Sequence, residues 1–337
     1  MKLKIITVLF TLFTFSASAD FTMIIPQKPG SGTSQWAMIV AKHMEKHLGE
    51  KIKLKHIPGA RDIPGFNKFH NKLRFDEKTI MVSHGGNAVG YLTEKVDYEY
   101  KDYTAIGGMN LTIVMGSKDL KDKAIFAGGS GNVPDAMALT LYMCGNLKTM
   151  EEYKKCFEEK ITFVKGMKGS ERRLAFKRGE LNVTRENPAA YKKHAKGVEV
   201  LFTHGVYNLD KYMQVDDPNH PFKLFEFIFY QKWGQHPTSD LFNAYDLART
   251  YRDTLQKVFW VNKGNPHVNK LRAALVKMLD DKEAVADITK KVGKYDWFIG
   301  SDYTLMLSIL NHIKTDKALK DLVWFQKNVL GYDAVIK

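Results

Sequence analysis

A chain of 337 residues, 44% hydrophobic and carrying 20 Phe and 5 Trp, can bury a substantial core and is too apolar to be disordered. No apolar run reaches the ~18–20 residues of a spanning helix, which excludes a polytopic membrane protein. The 51 Lys+Arg against 37 Asp+Glu, a formal +14, point to nucleic acid, an anionic membrane surface or an acidic ligand.

The first segment narrows that choice. Lys2 and Lys4, an apolar Ile5–Phe15 and Ala17-Ser18-Ala19 before Asp20 are the three parts of a secretory signal over residues 1–19. Cleavage there leaves Asp20–Lys337 with a charge of +12, a periplasmic address and no nucleic-acid partner; with no Cys at the cut, no lipid anchor is expected. Phe21–Ile25 reads as a strand ended by Pro26. Thr33 or Ser34 can cap a helix through Leu48, with Trp36, Ile39, Val40, Met44 and Leu48 at helical spacing and Gly49 as its stop. Strands are expected at Lys51–His56, Thr79–Ser83, Leu111–Met115 and Ala124–Ala127, then a helix from Pro134 to Met143. Ile161–Val164 reads as a strand, Ser170–Lys177 as a helix, and Leu181–Thr184 and Val198–Phe202 as strands. Tyr207–Thr254, with Pro218, Pro221 and Pro237, reads as a decorated loop. Val258–Val261 is β-prone, and helices are expected at His267–Asp280, Lys282–Val292 and Thr304–Leu330. The alternation predicts an α/β fold with parallel sheets covered on both faces, its two domains joined by crossing strands instead of a linker.

Cys144 and Cys156 lie close in sequence around the turn Gly145-Asn146, and in an oxidising compartment a disulfide is expected; two free buried thiols are the alternative. His43 and His47 share a helix face, but His43-Met44-Glu45-Lys46-His47 is not H-E-x-x-H. They read as part of an exposed polar face, and no metal site is expected. The basic run Lys165–Arg178 reads as a solvated helix face, and Asp216-Asp217 as a solvated loop.

The sharpest feature is Pro26-Gln27-Lys28-Pro29-Gly30-Ser31-Gly32-Thr33-Ser34 between a strand and a helix, where backbone N–H groups at a helix N-terminus suit an anion. Gln35 stands where a dinucleotide fingerprint needs glycine, and no Gly-Lys-Ser/Thr closes a P-loop, so no cofactor is expected. Gly128-Gly129-Ser130-Gly131-Asn132 repeats the arrangement, and His84-Gly85-Gly86-Asn87 offers a third wall. No G-x-S-x-G elbow or catalytic triad is evident, so the loops suggest a clamp and not an enzyme.

Taken in order, these motifs resemble the periplasmic solute-binding proteins of tripartite tricarboxylate transporters, the Bug family. Ile25–Ser34 is similar to the family's Val-Pro-Phe-x-Pro-Gly-Gly-x-x-Asp loop, His56-Ile57-Pro58-Gly59-Ala60 to its Asn-x-Pro-Gly-Ala turn and Phe126–Asp135 to its Gly-Ser-x-Gly-x-Gly loop. Val164–Ser170 with Gly179–Val183, and Trp260–Pro266, resemble two later stretches. The resemblance implies a type II periplasmic-binding-protein fold: two α/β lobes, 20–117 plus 258–337 and 118–257, crossed by strands at Leu111–Met115 and Val258–Val261. It implies a monomeric receptor that delivers an organic carboxylate to a membrane permease. A sensor subunit with the same fold, or an exported enzyme on a related one, is the alternative. Carried over, the ligand residues are Gln27, Lys28, Gly30, Ser31, Gly32, Thr33, Ser34, His84, Gly85, Asn87, Gly129, Ser130, Gly131, Asn132, Asp135, Arg185 and Asn187. Gln27 replaces the family's Phe, Ser34 its Asp, and the His expected near Asp135 is missing. Lys28 and Arg185 are expected as rim cations, favouring an anion with more than one negative group.

Overall fold

The computed structural model describes residues 20–59, 62–167 and 169–336. The predicted signal segment 1–19, Ala60 of the Pro-Gly turn and Lys168 of the basic run lie outside the described residues.

The chain begins with β1 (Phe21–Ile25), α1 (Gly32–Leu48), β2 (Ile52–His56), α2 (Ile63–Lys72), β3 (Thr79–Val82), α3 (Gly85–Thr93) and β4 (Tyr103–Met109). It continues through β5 (Val114–Ser117), β6 (Ala124–Gly128), α4 (Val133–Cys144), α5 (Met150–Lys160), β7 (Ile161–Lys165), α6 (Gly169–Arg178), β8 (Val183–Glu186) and α7 (Pro188–His194). Next come β9 (Glu199–Thr203), β10 (Val206–Asn208), β11 (Met213–Val215), α8 (Phe225–Trp233) and α9 (Asp240–Thr254). It ends with β12 (Lys257–Asn262), α10 (Val268–Asp280), α11 (Lys282–Lys291), β13 (Trp297–Ile299), α12 (Ser301–Ile313) and α13 (Asp316–Asn328).

The larger sheet has six strands in the order β13-β4-β12-β3-β1-β2. β1 is parallel to β2 and β3, but β12 runs antiparallel between β3 and β4, and β13 is antiparallel to β4. The sheet is therefore mixed, not parallel throughout, because the returning chain enters it from the opposite end. In the second part β5 lies between β8 and β9, antiparallel to both; β6 and β7 form a parallel pair, and β10 and β11 a hairpin. The chain passes from the larger sheet to the second part over residues 110–113 and returns just after α9, at 255–256. The predicted strand Leu111–Met115 is extended from Val114 onward only, and Val258–Val261 lies wholly inside the larger sheet.

Local chemistry accounts for the elements. Ser31, two or three residues earlier than expected, caps α1 by accepting the Ser34 N–H at 3.2 Å. Gly49 ends it at φ 72°, its N–H bonding the Glu45 carbonyl at 3.0 Å. Trp36 on the buried face stacks on Phe259 of β12 at 4.4 Å. His43 and His47 are not on an open face: their Nε2 atoms lie 3.1 Å from Asp287 and 3.3 Å from Asp281, against α11. A basic side chain of the run Lys165–Arg178 is also inside, since Arg172 is buried and Arg173 forks onto Glu186 at 2.7 Å twice. Cys144 and Cys156 are bonded, with Cα atoms 6.3 Å apart, tying the end of α4 to α5.

The expected loop 207–254 holds α8 and the 15-residue α9, which is packed between α3, α4 and α13. One apolar cluster lies between the larger sheet, α1 and α10. A larger one runs without a break from Ile24 and Met81 of the larger sheet through Tyr98 and Tyr100 to Phe126, Leu139, Phe229 and Phe325, and two small ones lie in the second part.

Candidate functional site

The strand-to-helix loops singled out in the sequence meet. Gln27 Nε2, after β1, lies 3.0 Å from His84 Nδ1, after β3, and both reach Asp62 Oδ2, at 3.4 and 2.6 Å. The His84–Asn87 loop in turn touches the loop after β6: a Cβ on Gly131 would stand 3.0 Å from Gly86 Cα. Gly85 has no more room, since a Cβ there would fall 2.8 Å from the Arg252 carbonyl oxygen. A side chain at Gly85 would force its neighbours to shift, and one at Gly131 would push the two loops a few tenths of an ångström apart. Asn132 holds its own loop, accepting the Gly129 N–H and donating to Asp135, both at 3.0 Å.

Behind the loops lies a buried ionic network. Asp135 is fully buried on α4. Arg252 Nη1 of α9 lies 2.8 Å from its Oδ1 and Arg185 Nε of β8 lies 3.0 Å from its Oδ2. Burial alone would raise the pKa of Asp135, but the two arginines beside it outweigh that and hold it well below the usual carboxylate range. Arg252 also donates to Asp253 at 2.8 Å and to His204 Nδ1 at 2.8 Å. Burial, with Arg252 adding to it, pushes His204 down, so the ring is neutral and Nδ1 is the acceptor. Two carboxylates and two guanidinium groups thus balance in the interior.

A single lysine sits apart from that balance. Lys257, the first residue of β12, is buried and donates from Nζ to Thr33 Oγ1 in the first turn of α1. Burial pulls its pKa down to about 7, with Asp62 opposing the shift. An amine poised near neutrality beside a helix N-terminus can take a proton when an anion arrives.

The remaining predicted residues divide. Lys28, Gly30 and Gly32 are exposed, with Gly30 at φ 80°, and Ser34 Oγ lies 2.8 Å from His56 Nε2. Ser130 and Gly131 stand in the turn that faces Gly86. Asn87 is turned away from the loops: its amide bonds the Tyr98 hydroxyl and accepts from Tyr100 at 2.7 Å, so it serves the aromatic core. Asn187 caps α7 through Ala190 N–H at 2.8 Å and takes the Tyr295 hydroxyl at 3.2 Å. Arg185, expected as a rim cation, is inside and matched by Asp135, because only a counter-charge makes a buried guanidinium tolerable. Asp62, His204, Arg252, Asp253 and Lys257 were not singled out in the sequence. Asp62 at φ 62°, just before α2, carries no motif, and the others interrupt apolar runs where buried charge is indistinguishable from surface charge. Among the described residues, no group of three or more His, Cys, Asp or Glu could hold a metal ion.

No protein-family model and no curated protein matches the chain. Solved structures do. A TctC solute-binding protein from Polaromonas aligns over 91% of this chain and 99% of its own, at 15% identity and TM-score 0.56. MatC from Rhodopseudomonas palustris, with bound malate, aligns over 92% and 98%, at 16% and 0.54. A second R. palustris protein, with adipate, aligns over 94% and 98%, at 11% and 0.55. At these identities the likeness shows a shared fold, that of TctC-type solute-binding proteins, and so bears out the two-lobed α/β architecture.

Proposed function

We propose that the chain is a periplasmic receptor that captures a small organic carboxylate between two lobes and passes it to a permease of the tripartite tricarboxylate type. The observation that carries this reading is the meeting of three strand-to-helix loops, two from the larger sheet and one from the second part, beside the buried amine of Lys257. In this reading residues 20–117 with 258–337 form one lobe and 118–257 the other, exported by the signal at 1–19. First-turn N–H groups of α1 have no acceptor within the helix and supply neutral donors to an anion. Lys257 adds one positive charge. The contact between Gly86 and Gly131 is then the closed state, and a carboxylate that bonds both loops favours closure by its differential affinity for that state. Capture of this kind breaks no bond and needs no nucleophile. The malate and adipate held by two proteins of the same fold support this class of ligand.

The test is a thermal-shift screen of Asp20–Lys337 against di-, tri- and aromatic carboxylates, with neutral sugars as controls. A bound carboxylate raises the melting temperature by mass action. If sugars raise it and no carboxylate does, the proposal fails.

A further inference from the structure

A cavity of about 590 Å³ shares no residue with the loops above. Its walls come from both parts of the chain. The β10–β11 hairpin and residues 216–218 form one side, residues 295–298 and Asp302 at the edge of the larger sheet form the other, and Asn110 stands where the chain first crosses. Its charge is opposite to that of the molecule. Asp210, Asp217, Asp296 and Asp302 line it against Lys211, while Asp216 on its wall is engaged by Lys223 at 2.9 Å. Four aromatic residues, Tyr207, Tyr295, Trp297 and Phe298, complete the wall.

Asn110 gives the cavity a second, independent feature. It is only 5% exposed, and among the described residues neither Oδ1 nor Nδ2 has a hydrogen-bond partner. Buried amides are rarely left with both ends unmade, and because Asn110 lines the cavity, a small turn of its side chain lets an occupant complete it. Oδ1 requires a donor and Nδ2 an acceptor, so the occupant must offer both within a few ångströms. A hydroxyl or an amide does so; a bare ammonium does not.

We propose that this cavity is a second binding site, for a small organic cation that carries a hydroxyl or amide group beside its ammonium. The ammonium lies among Asp217, Asp296 and Asp302 with aromatic faces around it, and the hydroxyl or amide completes Asn110. Because the walls belong to both parts of the chain, an occupant ties the hairpin to the edge of the larger sheet and biases how the two parts sit together. Any effect on the loop site is then reciprocal: each ligand changes the affinity of the other by the same factor.

Titration calorimetry of the mature chain with ethanolamine tests the site, with ethylene glycol and acetate as neutral and anionic controls. Saturable binding of ethanolamine alone is expected. The paired change Asp210→Asn and Asp296→Asn, at two exposed positions that leave the core untouched, should weaken it roughly fivefold. Asn110→Ala, with its fold checked by circular dichroism, should weaken it further and bring ethanolamine down to the affinity of ethylamine, which lacks the hydroxyl. The proposal is overturned if ethanolamine does not saturate, if ethylene glycol binds as well, or if the paired variant binds unchanged. None of these outcomes depends on whether a carboxylate binds the loops, so the two sites are judged separately.

Discussion

Asp135 pairs with two arginines in the interior: it is the carboxylate that faces Arg185, while Arg252 is shared between Asp135 and Asp253. Asp135→Asn would keep the shape and remove the charge, leaving Arg185 without its carboxylate and Arg252 with Asp253 alone; a loss of about 3–5 kcal/mol is expected in urea denaturation. The pH dependence has a definite sign. The folded pKa of Asp135 is depressed, so its contribution is complete above the ordinary carboxylate pKa and is lost as pH falls through and below it. Lys257 behaves in the opposite sense. With a folded value near 7 against 10.5 when unfolded, the unfolded chain binds the extra proton between those values, so stability rises with pH across that window. Below about 7 the folded protein carries a buried ammonium and bears its full cost. An anion prefers that ammonium, so carboxylate affinity should fall as pH rises through about 7, and Lys257→Met should abolish the dependence. Calorimetric titration of the carboxylate found in the screen, at pH 6 and pH 8, would show it; equal affinities at both in the natural protein would mean that Lys257 does not face the anion.

At the scale of elements, the Cys144–Cys156 bridge closes a short loop between α4 and α5 and is anchored at the end of α4, the helix that carries Asp135. Replacing both cysteines with serine should lower stability by about 2–3 kcal/mol, seen as a lower thermal midpoint that reducing agent no longer affects. Strands built on a continuous apolar run were legible, even where a polar residue such as Lys257 is buried at the end, whereas β4, whose run is broken by Thr104, Gly107 and Gly108, was not. β1, β3, β6 and β12 lie within a residue or two of the apolar runs that announced them, and the Gly-rich loops stand between strand and helix as expected. α9 was not legible, for a physical reason. Its buried side includes Tyr245 and Ala248 but also Arg249, Arg252 and Asp253, so the helical period of apolar residues is broken where the helix lies deepest. Partner charges that make this possible, Asp135 on α4 and Glu226 on α8, are far away in the chain. Strand direction was equally hidden: nothing within Val258–Val261 tells which neighbours the strand will find, and those neighbours decide parallel or antiparallel.

For the molecule as a whole, the contact of Gly86 with Gly131 is where the two halves of the proposed clamp touch. Gly131→Ala would hold the loops a few tenths of an ångström apart. It should weaken carboxylate binding while leaving the thermal midpoint of the unliganded protein nearly unchanged. A variant that binds normally would remove this contact from the closing motion. The loop positions were legible because glycine at a strand-to-helix turn has few other uses; the interior charges behind them were not, because they are matched only in three dimensions. β12 bears on folding order. It fills the space between β3 and β4, which belong to the first stretch of chain, so that stretch cannot finish its own sheet. Until residues 257–262 arrive, β3 and β4 each present a bare hydrogen-bonding edge in a strongly apolar setting, a template for intermolecular pairing. Refolding should therefore be slow and concentration-sensitive, limited by this one non-local insertion, and a fragment ending before residue 257 should aggregate instead of folding.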